Sequence, residues 1–248
     1  MTTHGELIRD DGERVVYVRH DGALPGIVWL GGFRSAMTGS KATALAAWAR
    51  EQGRAFVGFD YFGHGASSGD FRAGTVSRWL GDTLAVLDRL TAGPQLLVGS
   101  SMGAWLALLA AQTLPGRVAG LLLIAPAADF TEALLWNSFD AGVRQRLWEE
   151  GEWLRPSSYD PEPYPITRAL IEDGRKHLLL DAKIALDRPV RIVQGMADPD
   201  VPLEHAMRLL DRLGPDTELT LVKAGDHRLS KPHEIATILR VLAAMIAP

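Results

Sequence analysis

The sequence predicts an α/β fold, with a mostly parallel sheet flanked by helices and one small helical insertion late in the chain. Three observations predict it. Short apolar runs alternate with longer helical stretches, as expected for strands covered by helices on both faces. The segments that follow those runs carry glycines and polar residues, where an open α/β sheet presents its reactive ends. The alternation lapses between residues 127 and 187, so residues 1–126 and 188–248 are expected to form the core, with a lid between them.

In order, Arg14 to Arg19 is rich in β-branched residues and reads as a strand, with a turn at Asp21-Gly22. Ile27-Val28-Trp29-Leu30 is continuously apolar, as in a strand buried on both faces. Lys41 to Arg50 is Ala-rich and helical, and Gln52-Gly53 closes it. Ala55 to Asp60 is the next strand and opens into the glycine-rich loop Tyr61 to Gly69. Trp79, Leu80, Thr83, Leu84, Leu87 and Leu90 recur at helical spacing within Val76 to Leu90, and Gly93-Pro94 ends that helix. Gln95 to Val98 is a strand, Ala104 to Ala111 a helix, and Val118 to Ile124 another buried strand. The insertion holds amphipathic pieces at Phe139 to Trp148 and Thr167 to Asp173, and no sheet of its own is expected there. It also holds Pro156, Pro161, Pro163 and Pro165, with Trp136, Phe139, Trp148, Trp153, Tyr159 and Tyr164. Such aromatics suit an apolar acyl pocket or simply pin the lid to the core. Val190 to Gln194, Leu203 to Leu213, Glu218 to Val222 and Ile235 to Ile246 then resume the strand–helix rhythm.

Composition narrows the function. At 248 residues a single α/β domain suffices. A net charge of −4 gives no electrostatic reason to expect nucleic acid as a partner. The chain has no cysteine, which excludes disulfides, thiolate nucleophiles and Cys-ligated metals. No apolar stretch is long enough to span a bilayer. The N-terminal residues lack the basic-then-apolar order of a signal peptide, so a cytoplasmic protein is expected. Composition leaves the oligomeric state open.

The chemistry centres on Gly99-Ser100-Ser101-Met102-Gly103, a G-x-S-x-G pattern between a predicted strand and a predicted helix. In that context Ser101 sits at the tip of a tight turn, with its hydroxyl clear of the sheet. A serine hydroxyl needs a base, and the base needs a carboxylate to fix its tautomer. Asp198 and His227 each follow a predicted strand, giving the order Ser–Asp–His of α/β-hydrolases. Asp200 is the backup carboxylate, and Asp226 reads as structural because an adjacent residue cannot easily reach the imidazole. His64, in Gly63-His64-Gly65, is the rival base, against the reading of a hydrogen-bonded loop histidine. His177, His205 and His233 have no partner pattern, and no ligand spacing supports a metal. The oxyanion donors are expected to be the backbone N–H groups of Met102, at the helix start, and Phe33, after Gly31-Gly32.

These motifs resemble a particular branch of the α/β-hydrolases. Leu30 to Ser35, Gly39 to Ala42, Phe59-Asp60-Tyr61, Gly99 to Trp105, Gly195-Met196-Ala197-Asp198 and Asp226-His227-Arg228 are similar to the family of mammalian palmitoyl-protein thioesterase and acyl-glucuronide esterase. The likeness runs from about Gly26 to the last helix. It places that family's Ser, Asp and His on Ser101, Asp198 and His227. This chain has Gly31-Gly32-Phe33 where the family has Pro-Gly-Tyr, and Ala104 where the family has a second Gly. The first residues do not resemble the family's mitochondrial presequence, so that location is not expected to carry over. The insertion matches loosely, through Pro156-Ser157 and Tyr159.

The expectation is therefore a cofactor-free serine esterase or thioesterase acting on a small-molecule ester or thioester. Arg34, beside the oxyanion loop, is the candidate contact for an anionic substrate group such as a glucuronate carboxylate, against the plainer reading of a solvated surface arginine. The alternatives are a perhydrolase or acyltransferase on the same site, or a ligand-binding receptor that retains the triad.

Overall fold

The computed structural model describes residues 2–156 and 162–246. Ser157, Tyr159 and Pro161, part of the aromatic and proline patch, lie outside the described residues. In chain order the elements are β1 (Thr2–Ile8), β2 (Arg14–His20), β3 (Ala23–Leu30), α1 (Ser40–Glu51), β4 (Arg54–Phe59), α2 (Val76–Leu90), β5 (Gln95–Ser100), α3 (Met102–Thr113) and β6 (Val118–Ile124). The insertion contributes α4 (Ala141–Glu150), β7 (Glu152–Arg155), β8 (Tyr164–Thr167) and α5 (Arg168–Gly174). The core closes with β9 (Val190–Gly195), α6 (Leu203–Arg212), β10 (Thr217–Val222) and α7 (Pro232–Ile246).

Among the described residues, eight strands form one sheet in the order β1-β2-β4-β3-β5-β6-β9-β10. β1 and β2 run antiparallel at one edge, and the strands from β4 to β10 are parallel. Residues along β3 alternate between the two sheet faces. Val28 and Leu30 join one core cluster with α2 and α3, while Ile27 and Trp29 join another with α1 and α7. β5 lies at the centre, between β3 and β6, and all six of its residues are buried.

Two expectations need correction. The N-terminal residues form a strand, β1, that the sequence reading left out. Four of its seven residues are exposed and Leu7 alone is buried, so no alternation marks it. The insertion also has a small sheet, the antiparallel pair β7–β8, in addition to its helices. Each of those strands has four residues, and Pro165 sits within one, which hides them from pattern reading.

Buried carboxylates hold the insertion together and fasten it to the core. Asp129 accepts from the Leu179 N–H at 2.9 Å and the Leu180 N–H at 2.8 Å, tying the start of the insertion to its return. Asp173 accepts from the Ser77 N–H at 2.7 Å and the Ser77 hydroxyl at 2.8 Å, capping the first turn of α2 from the insertion side.

Candidate active site

The turn between β5 and α3 sets the geometry. Ser101 adopts φ 55° and ψ −119°, a conformation an L side chain rarely occupies. The surroundings hold it there. Its N–H donates to the Ile124 carbonyl at 2.9 Å, and its carbonyl accepts from Ala104 and Ala127. The flanking glycines are required by space. A Cβ on Gly103 would run into the Leu30 carbonyl, and one on Gly99 would lie 2.7 Å from the Ala104 Cα.

Ser101 Oγ lies 3.0 Å from His227 Nε2, and His227 Nδ1 lies 2.9 Å from Asp198 Oδ2. This pattern assigns the imidazole proton to Nδ1, where Asp198 accepts it, leaving Nε2 to accept from the Ser101 hydroxyl. The Asp198 side chain is fully enclosed and heavily hydrogen-bonded. Its Oδ1 accepts from the Asp200 and Val201 N–H groups at 2.9 and 2.8 Å, and its Oδ2 also accepts from Gln194 Nε2 at 3.3 Å. Gln194 was missed by sequence reasoning, because it reads as the last polar residue of a strand. It also donates to the Val201 and Gly195 carbonyls, so one amide braces the whole acid loop. The acid and histidine loops touch directly, with the Ala197 N–H donating to the Gly225 carbonyl at 2.9 Å.

The rivals resolve on geometry. Asp226 accepts from the Arg228 and Leu229 N–H groups and shapes the loop that carries His227. Asp200 holds Asp198 through its backbone N–H. His64 is 3% exposed, with Nδ1 3.0 Å from the Phe62 carbonyl and its ring against Phe33, Tyr61, Phe71 and Trp79. Burial lowers its pKa to about 4, so it is a neutral packing residue behind the oxyanion loop. His205 is bonded to the Ala128 carbonyl, and His177 faces Ser77, both away from Ser101. Asp198, Asp200 and His227 could geometrically gather a cation. However, Asp198 already accepts from two N–H groups, an amide and the imidazole, and both His227 nitrogens are engaged.

The loop after β3 approaches Ser101 closely. A Cβ on Gly32 would stand 3.4 Å from the Ser101 Cβ, so Gly32 lets the Phe33 backbone come near the elbow. The Phe33 ring anchors that loop among Phe71, Trp79, Phe130 and Tyr164, with centroids 4.9 to 5.9 Å away. Buried Asp60 anchors it from behind, accepting from the Met37 N–H at 2.6 Å and the Ala66 N–H at 2.9 Å. Arg34 also has a positive φ, 58°, and its guanidinium lies 5.3 Å from the Tyr164 ring centre.

Ser101 opens into a cavity of about 450 Å³. Its apolar lining includes Phe33, Phe130, Leu134, Leu135 and Ile166. Its charged lining has Arg34, Lys41, Arg155 and Arg228 against the single carboxylate Asp200. Of the insertion aromatics among the described residues, Tyr164 and Phe130 line this cavity. Trp136 packs on Trp148 and Phe139 on Trp153, and these pairs brace the insertion.

A nucleophile elbow on a mostly parallel sheet, with an acid and a histidine at the ends of β9 and β10, defines a class. The chain belongs to the alpha/beta hydrolase family, which it matches over residues 20–238, and it is a hydrolase. Among particular relatives, it is 36% identical over 242 residues to the protein named palmitoyl-protein thioesterase ABHD10, mitochondrial, of Mus musculus, covering 97% of this chain and 81% of that one. The human counterpart is 35% identical, again over 97% of this chain and over 79% of that one. The mouse alpha/beta hydrolase domain-containing protein 10 structure superposes with a TM-score of 0.92 at 35% identity, covering 98% of both chains. The crystal structure of an Agrobacterium vitis S4 protein gives 0.94 at 44% identity, over 100% of this chain and 99% of that one. The resemblance read from the elbow and loop motifs is met. No helix among the described residues is long and apolar enough to cross a membrane.

Proposed function

We propose that the protein cleaves carboxylic ester or thioester bonds through an acyl-enzyme on Ser101. The observation that carries this reading is the bonded chain from Ser101 Oγ through His227 to Asp198 at the tip of a strained elbow. In this reading Ser101 Oγ attacks the carbonyl carbon as His227 Nε2 takes its proton. Asp198 holds the imidazole and stabilises its charged form. The Met102 and Phe33 N–H groups receive the oxyanion, the former aided by the positive end of α3. His227 then protonates the leaving group, and water repeats the cycle on the acyl-enzyme.

The mixed lining of the cavity suits a two-part substrate. The acyl chain takes the apolar residues Phe130, Leu134 and Leu135. The leaving group lies within reach of His227, which must deliver its proton there. The excess of cations in the lining supports an anionic leaving group, with Arg34 among its contacts, as the resemblance to acyl-glucuronide esterases implies. A thioester substrate is supported by the name of the mouse relative.

A panel of p-nitrophenyl esters, acyl-CoA thioesters and S-acyl peptides tests the reading, with Ser101→Ala as the control. Wild type is expected to turn over at least one class, and the variant to lose about 10⁴-fold or more in kcat. Equal turnover by both proteins sinks the mechanism. Repeating the assay with peroxide or an alcohol present tells hydrolysis from acyl transfer to another acceptor.

A further inference from the structure

Lys41 is a cavity residue that the proposed cycle leaves unused. It stands in the first turn of α1 and lines the same cavity as Ser101 and His227. Its Nζ donates to the Arg228 carbonyl, so the amine is drawn in beside the histidine loop. Lys176, Lys183 and Lys231 each stand beside a carboxylate, whereas Lys41 forms no ion pair among the described residues.

Two features disfavour its charged form: partial burial, the larger of the two, and the nearby Arg228 guanidinium. Asp226 and Glu234 act in the opposite direction and are outweighed, leaving the pKa lowered to about 8. At pH 7.4 about a fifth of such an amine is neutral, against roughly one part in a thousand for an ordinary lysine. The lower basicity costs some nucleophilicity. A Brønsted slope of about 0.4–0.5, as for thiols, still leaves a net gain of about tenfold.

We infer that Lys41 is a second acyl-accepting group in this cavity, a modification site to which esters or thioesters that enter it transfer their acyl group. The neutral Nζ attacks the carbonyl carbon, the C–O or C–S bond breaks, and the departing alkoxide, phenolate or thiolate carries away the electron pair. The nitrogen releases a proton to solvent or to the leaving group, and an amide remains on Lys41. The inference rests on the proposed function for the chemical class of the donor, and it needs no turnover at Ser101.

The test uses Ser101→Ala, so that hydrolysis does not compete, with p-nitrophenyl acetate as donor and peptide mass mapping over time. Should Ser101→Ala prove insoluble, Ser101→Gly, which relieves the positive φ, takes its place. Lys41 is expected to gain acetyl about tenfold faster than exposed Lys183 at pH 7.4. Its rate should level off above about pH 8–9, while that of Lys183 keeps rising. Equal or slower labelling of Lys41 overturns the inference. Hydrolysis of the same ester by wild type is read separately. Labelling without hydrolysis would sink the Ser101 reading alone, and hydrolysis without preferential labelling would sink the Lys41 inference alone.

Discussion

Ser101 carries a backbone strain that most residues avoid, and the nearby hydrogen bonds show what sustains it. The neighbours of Asp198 matter for the same reason. Asp198→Asn is expected to lower kcat about 10⁴-fold, because an amide favours the wrong imidazole tautomer. Gln194→Leu removes the donor that holds the acid loop and should lower kcat by about tenfold or more with little change in KM, read by steady-state kinetics. His64 makes a prediction about stability. Its pKa is about 4 when folded and near 6.5 when unfolded, so the unfolded chain binds the extra proton between those values. Its contribution is fully present above pH 6.5 and is lost as pH falls toward 4, at a cost of about 3 kcal/mol. Urea unfolding at pH 7 and pH 4.5 should show that loss in wild type and a much smaller one in His64→Leu. At this scale the sequence was legible where a reactive residue lies in the loop after a strand, as Ser101, Asp198 and His227 do. Gln194 and Lys41 were not legible, because a polar strand end and a helix-start lysine are ordinary until their neighbours are known.

Among the elements, close packing at the elbow gives the sharpest test. Gly103→Ala drives a methyl group into the Leu30 backbone, which cannot yield without moving β3. The expected cost is about 3 kcal/mol or more, a drop in Tm of about 6 °C or more for a chain of this size, read by calorimetry. The buried strands and long helices were readable because continuous apolar runs and helical spacing leave a strong imprint. Within α2 the pattern turned inward three leucines that are only partly buried, Leu80, Leu84 and Leu90, and left out Asp82 and Val86, which are buried. Arg9 accounts for Asp82, lying 2.6 Å from its carboxylate. β1 and the β7–β8 pair left no imprint, because a mostly exposed strand and four-residue strands offer too few buried positions to alternate.

Over the whole molecule, charge is placed against its average. The chain has a net charge of −4, yet its cavity is lined by four cations and one carboxylate. Those cations come from the loop after β3, the start of α1, β7 and the histidine loop, so only folding brings them together. The consequence for association is kinetic. The on-rate for an anionic ester should fall as salt rises from 20 to 500 mM, while that for a neutral ester should hold nearly constant, as stopped-flow or kcat/KM measurements would show.

Asp129 and Asp173 fasten the insertion at its two ends, and both carboxylates bond to backbone N–H groups that any sequence supplies. The stretch between them is therefore an exchangeable cassette, replaceable without redesigning its sockets. Exchanging residues 130–167, which include Phe130, Leu134 and Leu135, for the matching stretch of a relative, with Asp129 and Asp173 kept, should transplant acyl-chain preference while Tm moves by only a few degrees. In evolutionary terms, such a chain can change its diet without relearning how to fold.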